Sequence, residues 1–259
     1  MYFRPRKIDF VRTKGMIIFI FLVGACTLDT PTDFDGTAPK YQLLRNYNPR
    51  ADRYVREHLI NLLIEVALGA EYGNNTHVLK KWAGPMRLFV GGNPSPVLQE
   101  EIYGIITEIN ALTTDGFYIT QATDSLQANA YLFLGSAQEF AKRVPIASTI
   151  LANHNGLVQL TSNTAFEIQK AALFVDTDQS RIVEQKHVLR EELTQSLGLL
   201  NDVKYYPSSI FYEAQSYGDS FSTNDREIIR LLYNPGLLSG MDSLQIRRAG
   251  RRIMGLTPN

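Results

Sequence analysis

Only one cysteine, Cys26, occurs in 259 residues, so no disulfide can form within the chain and its core must hold without one. Histidine is scarce as well: His58, His77, His154 and His187 are the whole supply, and they show no metal-ligand spacing to one another. The longest apolar run, Met16 to Ala25, is ten residues, about half of the ~20 that a membrane-spanning helix needs. Net charge is absent from the total, with 26 basic and 26 acidic residues. Beyond Cys26 the balance is 21 to 25, a net charge of −4, which gives neither nucleic acid nor an anionic surface an overall attraction. No internal repeat and no low-complexity tract breaks the pattern. What remains, 44% hydrophobic and 20% charged, is the composition of an ordinary globular domain with a short leader.

The leader is the most distinctive part of that composition. Five basic residues (Arg4, Arg6, Lys7, Arg12, Lys14) precede the apolar run, which has the length of a signal-peptide core and ends on small residues. Leu22-Val23-Gly24-Ala25-Cys26 is similar to a bacterial lipoprotein lipobox, although a leucine is usual where Val23 stands. The resemblance implies a signal peptide over 1–25, acylation at Cys26 and a lipid-anchored tether over 26–50. Thr27 is not the aspartate that retains lipoproteins at the inner membrane, so the expected place is the outer membrane, facing the periplasm. A plain secretory signal or an uncleaved anchor would use the same residues.

Residues 51–254 read as one domain. Apolar positions at helical spacing predict helices over Ala51 to Ala70, Val97 to Leu112, Gln138 to Arg143, Ser180 to Leu197, Asn224 to Tyr233 and Asp242 to Met254. Alternation predicts strands at Met86 to Val90, Phe117 to Thr120, Ala130 to Leu134 and Phe166 to Val175. Asn155-Gly156 reads as a hairpin turn. The order predicts an α+β fold, a mixed sheet with helices packed on it and a smaller C-terminal helical and irregular part.

The chemistry gathers at Glu191-Glu192-Leu193-Thr194-Gln195-Ser196-Leu197-Gly198-Leu199-Leu200-Asn201-Asp202. In a helix His187, Glu191 and Gln195 share a face, and Gly198 permits a sharp exit. The spacing resembles the metzincin zinc-peptidase motif His-Glu-x-x-His-x-x-Gly-x-x-His. The glutamate falls on Glu192 and the glycine on Gly198, while Glu191, Gln195 and Asn201 replace all three histidines. Downstream, Ser208-Ser209-Ile210-Phe211-Tyr212 resembles the metzincin Met-turn, with Phe211 at the methionine. Phe221 to Tyr233 is similar to the C-terminal helix of those proteins. The same stretches resemble an uncharacterised family of secreted bacterial proteins and lipoproteins known only as a domain of unknown function.

The resemblance implies a zincin-like fold, with the motif helix beneath the sheet and a lower subdomain beyond the glycine. It does not carry the zinc chemistry over. Neutral amides at Gln195 and Asn201 are poor zinc ligands, and an oxygen set with Glu191 or Asp202 suits a hard cation better. Without a metal, Glu192 has no activated water to deprotonate. We therefore expect no metal and no cofactor, and Glu191, Gln195 and Asn201 in a hydrogen-bonded polar cluster. His187 is expected outside the cleft, although a shifted set of His187, Glu191 and Asp202 is conceivable. Leu193 and Leu197 should be buried, with Ile210 and Phe211 beneath them. Two function classes stay open: a non-catalytic module holding an extended peptide or envelope protein, and a metal-dependent or otherwise unusual hydrolase using Glu192 with a non-histidine site. Neither involves nucleic acid.

Overall fold

Strict alternation along the strands sorts one sheet into two apolar faces. In the computed structural model, which describes residues 19–21, 53–68, 77–144, 151, 154–213, 218 and 220–256, the strands are β1 (Phe19–Phe21), β2 (Lys81–Trp82), β3 (Met86–Gly92), β4 (Ile119–Gln121), β5 (Ala130–Gly135), β6 (Gly156–Ser162) and β7 (Glu167–Asp176). Their order is β1-β6-β7-β5-β3-β4, with β2 beside the start of β7. β3 is parallel to both β4 and β5, and β5 and β2 are parallel to β7. Only β6 against β7, and β1 against β6, run antiparallel. The architecture is a mixed α/β fold with a mostly parallel sheet. Cys26, the tether and the leader apart from Phe19–Phe21 lie outside the described residues.

The described helices are α1 (Arg53–Leu68), α2 (Pro96–Leu112), α3 (Ala137–Arg143), α4 (Ile182–Gln195), α5 (Thr223–Leu232) and α6 (Ser243–Ile253). None of them is long and apolar enough to cross a membrane. Ala130, Leu132, Leu134, Val158, Leu160, Leu173 and Val175 join the main core with the apolar faces of α1, α2, α4 and α5. The residues between them, Phe133, Leu157 and Phe174, pack with Phe140 of α3 in a second cluster. This is the period of two that a sheet covered on both sides requires.

Two expectations need correction. Asn155-Gly156 makes no hairpin, because Gly156 is already the first residue of β6 and pairs with Val175. The hairpin lies at Asn163 to Phe166, where the Asn163 side chain accepts from the N–H groups of Ala165 and Glu167 at 2.9 and 3.0 Å. An asparagine side chain that satisfies the backbone two residues on is what a tight turn needs, so it does the work assigned to Asn155-Gly156. β6 itself, Gly-Leu-Val-Gln-Leu-Thr-Ser, was not among the predicted strands.

Candidate functional site

α4 begins conventionally and ends in an unusual environment. Glu184 reaches back to the N–H of Arg181 at 2.9 Å, closing the first turn. From Leu189 to Leu200, however, twelve consecutive residues are buried. Six of them (Arg190, Glu191, Glu192, Thr194, Gln195, Ser196) are polar, and burying such groups is costly unless each finds a partner.

Most do. Thr194 and Ser196 donate to the carbonyls of Arg190 and Leu193 at 2.6 and 2.7 Å. Arg190 places its guanidinium between Glu108 (2.9 Å) and Glu101 (2.8 Å) of α2 and over the ring of Phe221, 4.7 Å away. Arg226 of α5 binds the other oxygen of Glu108 at 2.7 Å, so the ion network joins α2, α4 and α5. The indole of Trp82 donates to the Ser196 carbonyl, and the hydroxyl of Tyr233 donates to that of Leu197, both at 2.9 Å. These are carbonyls that a helix end leaves without an internal partner. Gly198 turns the chain away at φ +108°, and a Cβ there would stand 2.1 Å from the carbonyl oxygen of Lys80. Only glycine fits.

The motif residues separate into two groups. Glu191 faces Gln195, whose amide nitrogen is 3.5 Å from its carboxyl, and His187, whose Nε2 is 3.8 Å away. His187 therefore lies against the motif and not outside it. Its Nδ1 donates to the Gly218 carbonyl at 3.1 Å, and burial lowers its proton affinity. Glu192 points the other way, toward the sheet: its Oε1 stands 2.2 Å from where a Cβ on Gly156 would sit. Burial, and then the neighbouring Glu191 and Asp202, push the Glu192 carboxyl well above the usual range; burial and Asp202 do the same for Glu191. Glu192 is fully buried, and among the described residues neither of its oxygens has a hydrogen-bond partner.

Asn201 does not join Glu191 and Gln195. Its side chain donates to the carbonyl of Glu65 at 3.2 Å, and its N–H to that of Val66 at 3.0 Å. Both carbonyls belong to the last turn of α1, which needs outside donors, and the pull of that turn explains the departure. Asp202 remains close enough to Glu191 and Glu192 to disfavour their ionisation. Among the described residues no three His, Cys, Asp or Glu side chains converge as a metal-binding set. Zinc does not fit these donors: Gln195 is a neutral amide turned toward Glu191, and Asn201 is held on α1.

The turn resembling the Met-turn is built around Asp225. Ser209 donates its hydroxyl to that carboxylate at 2.5 Å, and the N–H groups of Ile210 and Ser222 donate to it at 3.1 and 2.8 Å. Ser222 in turn caps α5 through the N–H of Asp225. Burial raises the Asp225 pKa, and the four hydrogen bonds from Ser209, Ser222 and Ile210 oppose the rise. Phe211 is fully buried.

Sequence reasoning missed two other charged groups. Lys81, 5% exposed, binds Asp115 at 2.5 Å and the carbonyls of Leu232 and Leu237 at 2.9 and 3.1 Å, fixing the end of α5. Glu101 and Glu108 stand seven residues apart on α2, two turns along one face, and this spacing could have marked the partners of Arg190. No curated protein matches the chain. The family model described as "Protein of unknown function (DUF2927)" matches residues 56–251, which takes in every element from α1 to α6, and the chain belongs to that family.

Proposed function

We propose that this protein is an envelope lipoprotein whose degenerate metzincin-like domain binds an extended peptide or envelope protein without cleaving it. One observation carries the non-catalytic part: Glu192, at the general-base position, is 0% exposed. A general base must come within hydrogen-bond reach of the group it deprotonates. Glu192 instead abuts the backbone of β6 at Gly156. Support for the metzincin ancestry comes from the mixed sheet, the buried motif helix, the left-handed Gly198 and the Ser209-to-Phe211 turn anchored on α5.

The binding part is supported by the sheet edge. The outer edge of β6 pairs antiparallel with Phe19–Phe21, in the register Phe19 to Leu160 and Phe21 to Val158. That edge accepts an extended segment. Phe19–Phe21 belong to the leader in the signal-peptide reading, so processing before Cys26 would leave the edge of β6 open to strand addition.

A second reading, a hydrolase using Glu192 at a non-histidine site, is favoured by the raised proton affinity of Glu191 and Glu192, a property of acid catalysts. Metal analysis and peptidase assays on the purified protein separate the two. The binding reading expects no stoichiometric metal, a thermal midpoint insensitive to chelator, and no peptidase activity for Glu192→Gln to remove. One bound metal per chain, with hydrolysis abolished by Glu192→Gln, would put the hydrolase in its place. The anchor is tested by Cys26→Ser and cell fractionation. The variant is expected to lose acylation and, in about 0.5 M salt where charge attraction is screened, its membrane association. A variant that is processed and membrane-bound like the parent would remove the lipoprotein assignment.

A further inference from the structure

The near-neutral total charge conceals a local excess. α6 carries four arginines and no acidic residue in eleven positions. It lies along α1, with Arg247 bound to Asn61 at 2.5 Å, Arg251 to Glu57 at 2.7 Å, and Arg56 of α1 to the Met254 carbonyl at 2.9 Å. Arg248 and Arg252 are exposed one turn apart and make no ion pair among the described residues. Arg53 is exposed at the start of α1. The joint face of the two helices thus presents six arginines, with Glu57 binding one of them.

A cavity of about 430 Å³ lies at the end of this face, walled by Arg56, Arg230, Glu227, Leu231, Ile253 and Met254, among others. Arg230 is bound to Glu227 at 2.5 Å. Arg56 uses Nη1 on the Met254 carbonyl, and its buried Nε has no hydrogen-bond partner among the described residues. A guanidinium that lines a cavity suits a phosphate or carboxylate entering it.

Local structure accounts for some of these arginines only. Arg251 and Arg252 sit in the last turn of α6, where the helix dipole favours cations. Arg53 and Arg56 sit near the start of α1, where the dipole disfavours them, and among the described residues the first turn of α1 holds no acidic side chain. Arg248 stands mid-helix with no ion-pair partner among the described residues. α1 is also the first described helix beyond the tether, so its start is the part of the domain nearest Cys26 along the chain.

We infer that the α1–α6 face docks on an anionic lipid surface, with a headgroup phosphate at the arginine-walled cavity. Arginines near such a surface contribute about 1 kcal/mol each, and a guanidinium can pair with phosphate through two hydrogen bonds. The inference takes from the lipoprotein reading only that a bilayer is near, and it is independent of the degenerate motif.

The test uses the full chain carrying Cys26→Ser, so that no acyl group contributes. Cosedimentation is measured with phosphatidylcholine vesicles and with vesicles containing about one-third phosphatidylglycerol. The leader's basic residues act equally in every variant, so the comparison between variants reads the helix face. Removing both exposed charges with Arg248→Ala and Arg252→Ala should lower the partition onto anionic vesicles about 25-fold. Circular dichroism should show a thermal midpoint changed by only a few degrees, because both side chains are exposed and only Arg252 gives up a favourable helix-dipole position. Arg56→Lys, which keeps the charge and loses the fork, should weaken binding to anionic vesicles and leave binding to neutral ones unchanged.

A loss of tenfold or more in the double variant supports the assignment, and a smaller one overturns it. A preference that survives about 0.5 M salt also overturns it, since exposed charges are screened there. So does tighter binding to duplex DNA than to vesicles. Displacement from vesicles by millimolar inorganic phosphate would assign the cavity to a free anion and overturn the lipid source. None of these results depends on whether Cys26 is acylated in the cell.

Discussion

Phe211→Ala is expected to lower stability by about 3–5 kcal/mol, the range for deleting a buried aromatic ring. For a domain of this size that is a fall of roughly 6–20 °C in thermal midpoint. The ring is fully buried within the main core. Its backbone is fixed on both sides: the N–H accepts no freedom because it donates to the Ser209 hydroxyl at 3.2 Å, and the carbonyl accepts from Val203 at 2.7 Å. A turn held in this way cannot close over the space a missing ring would leave, so most of the cavity cost should persist. Phe211→Met supplies the residue that the metzincin turn carries and should cost less than about 1.5 kcal/mol, as near volume-conserving changes do. Denaturant midpoints of the two variants check both numbers. An unchanged midpoint for Phe211→Ala would mean that the ring is exposed in solution and that the comparison with the Met-turn is mistaken.

The elements that the sequence located well are helices with one apolar stripe and short apolar strand runs bounded by polar residues. α2 was expected to start at Val97 and starts at Pro96, after the Ser95 cap whose hydroxyl accepts from Leu98. β5 and β7 were expected at Ala130 to Leu134 and Phe166 to Val175, and each differs by one residue at either end at most. β6 escaped because Asn155-Gly156 offered a stronger local turn signal than the strand that begins on that glycine. The glycine is there for a different reason, the close approach of Val188 and Glu192 from α4. Burial at the motif was legible only in part. Glu191 and Gln195 were expected in a polar cluster, but no local pattern marks Arg190, Thr194 and Ser196 as buried, and only the three-dimensional placement of Glu101, Glu108, Trp82 and Tyr233 encloses that part of the chain. Asn201 shows the limit of motif spacing. Its position in the pattern suggested a place beside Glu191 and Gln195, but the free carbonyls of α1 determine what its side chain binds.

The enclosure of Glu192 gives the protein an unusual dependence on pH. Burial and the nearby Glu191 and Asp202 favour the protonated acid, so the folded chain holds this proton more tightly than the unfolded one. Below the ordinary glutamate value of 4.5 both states are protonated and the contribution is fully present. Above that value the unfolded chain releases the proton while the folded chain keeps it. Stability therefore falls as pH rises, by about 1.4 kcal/mol per pH unit for one such group. The fall ends only when the raised folded-state value is passed. Glu191 contributes in the same direction, because burial and Asp202 raise it too. His187 acts oppositely: its lowered value makes the folded state favour neutral imidazole, so it adds stability as pH rises toward its ordinary 6.5. Comparing the parent with Glu192→Gln cancels the histidine. The amide keeps the shape and cannot ionise, so the variant should lose about one proton's worth of slope and retain that of Glu191. At pH 8 it should be the more stable of the two. Urea midpoints from pH 5 to 9 give both curves. Parallel curves, or a parent that outlasts Glu192→Gln at pH 8, would mean that Glu192 is ionised in the fold, which at a carboxyl this deeply buried would require a bound cation.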